Sequence, residues 1–421
     1  MSRYFQGLNN IKKIILIALC LRLFLVPWSY HSDLTTNEIW GIYAQEFGLR
    51  GFYDWLNFGN YARPDYPPLA MLLFLVLRWF YLLIFEVFWK LNINFDAFPS
   101  DFITWFDVYG YRSILKLPGI FADVGIGLAI YYWIKKIKNI KTAKYSMGLY
   151  LFNPVTIYLS GSWGQLDSAV SLFGLLAVVF AMQKKFLFSL ISIFISVMIK
   201  ATFIPLVPIL IILSIKNKIS PKTVFRLIIV LVALLWILGS LFIDSHYLSW
   251  IVNMYVNKIL PGAVTLPFIN LNSFNFWGLV LGLERIAVTN TYLGITLGRI
   301  AWIIGGGVVI LIIRKFIFNA ETFMTIIMLY FSIFMFFPRV HERYLFPIFV
   351  FFPLVLVNKP KLRKLYTILS LVFLVNLYHW WWFPEVKALT IFFDYELTER
   401  FFSFLNLVIF VKFLRIYYEE A

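Results

Sequence analysis

The sequence predicts an all-α polytopic membrane protein, with about twelve transmembrane helices and interfacial helices in a first large external loop. Three observations carry this. The 421 residues are 61% hydrophobic and only 14% charged, where a soluble domain averages roughly 45–50% and 25%. Apolar stretches of about 20 residues, the length that crosses a bilayer as a helix, recur along the whole chain. The Lys and Arg residues sit in short clusters between those stretches, which is how orientation in a membrane is encoded. A closed β-barrel would need alternating segments of about ten residues, and the sequence has none. The net charge of +16 therefore needs no nucleic acid to explain it, since no solvated basic face exists to bind one.

Each element follows from placing the basic clusters on the cytoplasmic side. Lys12 and Lys13 are cytoplasmic, and residues 11–29 cross outward as a retained signal anchor because no small-residue cleavage site follows. Cys20 lies in this segment, and a single cysteine excludes an intrachain disulfide or a cysteine-based metal site. The next cluster is Lys135, Lys136, Lys138, Lys141 and Lys144. For it to lie inside, residues 112–134 cross inward and residues 30–111 form one external region. Residues 67–90 are then expected at the outer interface rather than across the membrane, and Arg78 and Glu86 within them fit that position.

The remaining segments alternate. Residues 146–160 lead out to the turn 161–167, and 168–183 return to Lys184 and Lys185. Residues 186–199 lead out to Lys200, and 201–215 return to Lys216, Lys218, Lys222 and Arg226. Residues 227–243 lead to an external loop of about 244–292, and 293–313 return. Residues 322–337 reach Arg339-Val-His-Glu-Arg343, and 344–357 return to Lys359, Lys361, Arg363 and Lys364. Residues 365–382 and 401–416 form the last pair. The chain 1–421 reads as one domain without repeats. Asp33, Asp65, Asp167, Asp244, His341 and Glu342 all emerge on the outer face.

Several of these residues have a bland reading beside a chemical one. Asp33 opens a short amphipathic helix with Ile39, Trp40, Tyr43 and Phe47 on one side and Gly48 as its stop. It is either the helix N-cap or a carboxylate general base. Asp65-Tyr66-Pro67-Pro68 is good helix-start chemistry and also a rigid mount for a carboxylate. In Trp163-Gly-Gln-Leu-Asp167, Asp167 either caps the next helix or joins Gln165 in binding sugar hydroxyls, with Trp163 as a stacking face. Lys200, isolated at the outer face, either snorkels to headgroups or clamps a lipid phosphate. Arg339, His341, Glu342 and Arg343 at one helix mouth exceed what anchoring requires. Asp123 is a buried carboxylate with a structural or a direct role. The sequence has no Gly-rich phosphate loop, no Ser-His-Asp order and no metal-spaced His pair. Its four histidines do not suggest a His-based metal site.

At these residues the sequence resembles the GT-C superfamily of polytopic glycosyltransferases, which use polyprenyl-phosphate sugars as donors. It is most similar to the asparagine-linked-glycosylation glucosyltransferases of the endoplasmic reticulum and their prokaryotic relatives. An acidic residue a few positions before a Trp in the first external loop matches Asp33 to Trp40. Asp-Tyr-Pro-Pro-Leu matches Asp65 to Leu69, and a Val-His-Glu-basic element matches Val340 to Arg343. Prokaryotic relatives also look similar at Lys116 to Asp123, Asn153 to Ser168 and Asn272 to Trp277. Arg343 is a departure, because the eukaryotic enzymes carry Lys there. The likeness spans most of the chain in short motifs whose order and spacing are specific together.

The resemblance implies transfer of a hexose, mannose or glucose, from a polyprenyl-phosphate donor to a hydroxyl of a glycan or glycolipid acceptor. It implies inversion at the anomeric carbon, Asp33 as general base, and a site on the extracytoplasmic face. The membrane would be the cytoplasmic membrane of a prokaryote or the endoplasmic reticulum membrane of a eukaryote. Arg343, His341 and Lys200, in that order, are the groups expected to stabilise the leaving phosphate. Asp65, Tyr66, Trp163, Gln165, Asp167 and Glu342 complete the expected substrate site, with no cofactor or metal. The alternative is a transporter or flippase of a lipid-linked sugar, which should carry ionisable groups near the bilayer midplane and repeated halves.

Overall fold

A computed structural model describes residues 2–54, 63–243, 246–259 and 266–419. Asp244, expected on the outer face, lies outside the described residues. The described chain is predominantly helical, and its strands are two-residue pairs. Five described helices are long and apolar enough to cross a membrane: Pro68–Asn94, Ser100–Ile137, Pro221–Ser240, Leu297–Phe318 and Glu396–Glu419. These are the dimensions of a multi-pass membrane protein. Other apolar helices are shorter, among them Asp167–Met182, Phe186–Ile199, Leu206–Lys216 and Thr322–Phe336.

The first four helices are α1 (Ser2–Leu25), α2 (Ser32–Phe47), α3 (Pro68–Asn94) and α4 (Ser100–Ile137). The short helix read from the helical spacing of Ile39, Trp40, Tyr43 and Phe47 is α2, and Gly48 ends it at φ +81° with its N–H on the Ala44 carbonyl. Trp40, Leu34 and Ala44 bury its inner face, and a Glu38–Arg112 ion pair at 2.6 Å ties it to α4. Gly41 is required there, because a Cβ would stand 1.7 Å from the Tyr111 hydroxyl. That hydroxyl donates to the Phe74 carbonyl at 2.8 Å.

The segment expected to lie at the interface is α3, a helix of 27 residues that is also long and apolar enough to span. Its partner is the first half of α4. Phe74 meets Tyr111, Tyr81 meets Asp107, and Phe88 packs on Phe102. The second half of α4 instead joins the bundle, with Asp123 against α1.

Residues 146–160, expected as one uninterrupted segment, are broken. α5 (Ile140–Leu151) ends before Asn153-Pro154. A short helix α6 (Pro154–Ile157) then widens into a π-turn over Tyr158–Trp163. Pro154 has no N–H to continue the ladder of α5, and the Asn153 side chain caps the restart by accepting from Val155 N. α7 (Asp167–Met182) and α8 (Phe186–Ile199) follow close to their expected limits.

The core lies around Thr322–Phe336 and Pro347–Leu356, the second of which is buried at every position. By contrast Pro221–Ser240 buries only Leu238 and Gly239 and exposes Val224, Phe225, Ile228, Ile229, Val232, Trp236 and Ile237. A continuous apolar face of that kind suits lipid and not water.

Inside the bundle, Arg22 and Asp123 are both fully buried and paired at 2.8 Å. Arg22 also donates to Leu151 O, Ala18 O, Ser160 Oγ and Thr156 Oγ1. The Tyr150 hydroxyl donates to the other Asp123 oxygen at 2.6 Å. Asp123 thus has a structural role, because it closes a network joining α1, α4, α5 and the π-turn. Removing one partner of such a pair leaves an uncompensated buried charge. Asp123→Ala should therefore lower stability by about 3–5 kcal/mol, read as a fall in the thermal unfolding midpoint of the detergent-solubilised protein; an unchanged midpoint would refute this role.

Candidate active site

The site is built where three chain turns meet. The first is Val26–Asp33, running from the end of α1 into α2. The second is the π-turn with its exit, Tyr158–Asp167. The third is Arg339–Arg343. Lys116, on α4, binds the first two together. Its fully buried amine donates to Val26 O at 3.0 Å, Ser29 O at 2.6 Å, Gly161 O at 3.3 Å and Ser162 O at 2.8 Å. Helix and turn ends leave carbonyls without partners, and one ammonium with its several donors satisfies those of both turns. Gly164 follows at φ +83°, where a Cβ would lie 2.7 Å from Lys116 Cγ.

The third turn is fixed by strand pairing. β1 (Asn270–Leu271) lies parallel to β4 (Val340–His341), with Leu271 opposite His341; β2 (Thr291–Tyr292) and β3 (Ile295–Thr296) form a separate hairpin. Ser273 Oγ donates to Val340 O at 2.7 Å, and Trp277 Nε1 donates to Phe336 O at 2.8 Å. Arg339 takes φ +61° at this turn, and its Nε is buried without a hydrogen-bond partner.

Asp33 stands in the first turn of α2 and is not the cap. The N-cap is His31, whose Nδ1 accepts from Asp33 N at 3.0 Å. The Asp33 carboxylate is therefore free to face outward from the helix start. Gln165 Nε2 donates to its Oδ2, and Arg343 Nη1 lies 3.8 Å from the same oxygen. His31 Nδ1 stands 3.5 Å from Oδ1. The side chain keeps 34% of its surface open, which leaves room for a substrate. Burial by itself would raise the Asp33 pKa, but the Arg343 charge and the Gln165 hydrogen bond outweigh it and hold the group below its ordinary value.

Arg343 is the electrostatic centre. Its Nη1 donates to Glu342 Oε1 at 2.8 Å, and its guanidinium lies 5.9 Å from the Trp163 ring centroid. Burial disfavours its charge, but Glu342, Asp33, Tyr66 and Asp167 together keep it protonated. Glu342 is lowered in turn: burial opposes its charge and is overcome by Arg343 and His341. Arg343 Nε and Glu342 Oε2 are buried without hydrogen-bond partners, so the cluster has unused donor and acceptor capacity. His341 lies 3.8 Å from Glu342 Oε2 and packs on Tyr344; its link to Asp33 runs through Glu342 and Arg343.

Lys200, read as isolated, is paired. Its Nζ donates to Asp167 Oδ2 at 2.9 Å, with both side chains nearly buried, and sits 5.6 Å from the Tyr66 ring centroid. Asp167 begins α7 with Leu166 at the N-cap, so pairing with Lys200 rather than capping is its main role. Asp65 lies three residues before α3, whose N-cap is Pro67, and so does not cap either. Burial raises the Asp65 pKa against the pull of Lys200 and Arg343, with Asp33 adding to the rise. Tyr66 is fixed by Tyr53, which donates to its carbonyl at 2.6 Å, and by Trp40 at 5.5 Å between rings.

Thus Asp33, Gln165, Glu342 and Arg343 are joined directly, Lys200 pairs with Asp167, and the fields of both groups reach Asp65 and Tyr66. Two contributors escaped the sequence reading. His31 was detectable as a polar residue two positions before the first helical carboxylate. Trp381 packs on Trp163 at 5.8 Å and on His31 at 5.2 Å, but comes from a distant Trp-rich run that carries no positional signal. Compared with protein-family models, the chain matches none. Compared with curated proteins, it likewise gives no match.

The charges set a pH dependence with a definite sign. An acid whose folded pKa is depressed adds stability above its unfolded value of about 3.9 and loses it as pH falls through the folded one. The stability advantage of wild type over Asp33→Asn should hold at neutral pH and shrink below about pH 4; chemical denaturation across a pH series would detect it, and a pH-independent difference would refute the pairing. Gly164→Ala should destabilise by about 1–2 kcal/mol from the left-handed backbone alone, with the Lys116 overlap adding to it. Thermal unfolding reads this, and a neutral effect would remove Gly164 from the clamp.

Proposed function

We propose that this protein is a membrane glycosyltransferase of the GT-C kind. It transfers a hexose from a polyprenyl-phosphate donor to an acceptor hydroxyl on the extracytoplasmic face. The observation that carries the reading is Asp33: a part-exposed carboxylate held between Gln165 and the Arg343 guanidinium. A base beside a cation is the arrangement needed when one group takes a proton while an anionic group departs close by.

In this reading the acceptor hydroxyl gives its proton to Asp33, and its oxygen attacks the anomeric carbon. The bond from that carbon to the phosphate oxygen breaks, and the lipid phosphate leaves with the electron pair. Attack in line inverts the configuration. Arg343 stabilises the phosphate, and its unpartnered Nε is a donor available for the purpose. Lys200 contributes positive potential from its pair with Asp167. His341 supports Glu342 and is not the first phosphate ligand. Asp33 is a weak base while Arg343 faces it. A phosphate that engages Arg343 withdraws that charge and strengthens the base, so proton acceptance is coupled to donor binding. Gln165, Asp167, Asp65, Tyr66 and Trp163, packed around Asp33 and Arg343, are the residues assigned to the sugars in this reading.

The proposed placement has about twelve membrane-embedded helical segments, with α3 and the first half of α4 as a hairpin at the outer interface. Pairing of α3 with residues 102–111, and not with the bundle half of α4, supports it. A lipid-linked-sugar transporter is less well supported, because the candidate-site charges gather at chain turns and the Arg22–Asp123 pair inside the bundle is closed by its own hydrogen bonds.

The test is transfer from synthetic polyprenyl-phosphate glucose and mannose. Asp33→Asn should lower kcat by about 10²–10⁴-fold with donor binding retained, and Arg343→Gln should chiefly weaken donor binding. Full activity in Asp33→Asn would sink the base assignment; no transfer by wild type from either donor would sink the substrate class.

A further inference from the structure

A second cluster of ionisable groups lies outside this site. His379 is the penultimate residue of Arg363–Trp380, Asp394 ends the short helix Lys387–Phe393, and Glu399 is in the first turn of Glu396–Glu419. One ligand atom from each lies within 4.8 Å of the other two. His379 Nε2 is 3.1 Å from Glu399 Oε1 and 3.8 Å from Asp394 Oδ1. The other ring nitrogen, Nδ1, is 3.0 Å from Asn272 Oδ1.

In the tautomer whose Nδ1–H donates to Asn272 Oδ1, the Nε2 of a neutral imidazole presents a lone pair. It then points at two carboxylate oxygens. His379 and Glu399 have side chains only 7% and 12% exposed, and Asp394 closes the cluster from the solvent side. A positive charge among these three atoms, carried by a proton on the imidazole or by a metal ion, answers their repulsion. A proton would satisfy one carboxylate, whereas a metal ion would satisfy all three atoms.

We propose that His379, Asp394 and Glu399 bind a first-row divalent cation of the Zn²⁺ or Mn²⁺ type, with at least one coordination position left to water. One imidazole and two carboxylates are a donor set such ions accept. Bond lengths of about 2.0–2.2 Å place ligand atoms of a tetrahedral ion roughly 3.4 Å apart, close to two of the present spacings. Asp394, 73% exposed at the helix end, supplies the small closing movement. Asn272 is the outer partner that orients the imidazole, as a carbonyl or carboxylate does behind most metal-bound histidines. Asn272 is itself positioned, because Asn376 Nδ2 donates to its carbonyl at 2.7 Å.

The ion would tie together four chain segments. Two of these lead directly to the candidate active site: Asn272 follows β1, the partner of Val340–His341, and His379 precedes Trp381, which packs on His31. Its role is to hold these segments, and it does not depend on the transferase reading.

The test uses the full-length protein in detergent, stripped with chelator and dialysed against Zn²⁺ or Mn²⁺, with bound metal measured by mass spectrometry. Wild type should retain one more equivalent than Asp394→Asn and Glu399→Gln, each at least about tenfold weaker in affinity. The metal should raise the thermal midpoint of wild type and not of Asp394→Asn. Asp394 is exposed, so that variant tests the ligand without opening the core. Equal metal retention in wild type and both variants, or the same thermal shift in Asp394→Asn, would overturn the proposal and leave a histidine sharing a proton with Glu399.

Discussion

The candidate site depends first on one buried amine. Lys116 has four backbone carbonyls around it and lies in a helix whose buried face is mostly apolar. An ammonium in such a place costs several kcal/mol unless its donors are answered, and turn ends supply carbonyls that need donors for the same reason. Each cost offsets the other. The consequence is positional. Ser29 O and Ser162 O are held by one nitrogen, so the segment entering α2 and the turn leaving the π-segment stay in fixed relation. Asp33 and Gln165 are then brought into contact by backbone geometry four and three residues downstream.

The same logic governs the charges. Asp33, Glu342 and Asp167 are answered by Arg343 and Lys200, so the described cluster carries nearly balanced charge in a poorly hydrated place. Arg343 is shared between Glu342 and Asp33, and the Glu342 contact is the shorter at 2.8 Å against 3.8 Å. Glu342 thus anchors the guanidinium while the Asp33 side retains slack. An incoming anion can draw Arg343 from Asp33 without breaking its stronger bond. Asp65 differs from its neighbours, because burial raises its pKa against the pull of Lys200 and Arg343.

The helical class was legible in the sequence because membrane helices are written in composition and length, which need no tertiary context. The limits of α7 and α8 followed from the same signal, and α2 was readable from its apolar spacing and Gly48. The break at Asn153-Pro154 was visible as a proline but not as a π-turn, since that widening is fixed by Arg22 and Lys116 from other helices. Asp33 was read as a possible helix cap, and the cap is His31. The capping position is decided by where φ and ψ turn helical, and His31 already supplies an acceptor. Lys200 seemed unpaired because its partner is 33 residues away across a helical hairpin. The His379–Asp394–Glu399 cluster has no motif spacing at all; its members meet only because three helix ends do.

α4 measures the site's depth in the proposed placement. From Lys116 to Ile137 the helix rises roughly 32 Å at 1.5 Å per residue, about the thickness of a hydrocarbon core. With Lys135 and Lys136 at the inner headgroups, Lys116 therefore falls at the outer boundary. Ser29, Ser162 and the carboxylate of Asp33 stand at that level through the contacts of its amine. From Ser100 to Lys116 the helix runs about 24 Å further, beyond the core, and α3 accompanies it there with Val76, Phe80, Leu83 and Val87 exposed. An apolar hairpin cannot project into water over that distance. In the proposed placement it lies along the membrane, and Pro118 sits within α4 just past Lys116, where a missing N–H allows the helix to bend. A hairpin lying there would wall one side of the cluster at headgroup depth, the depth at which a lipid phosphate and its sugar are found.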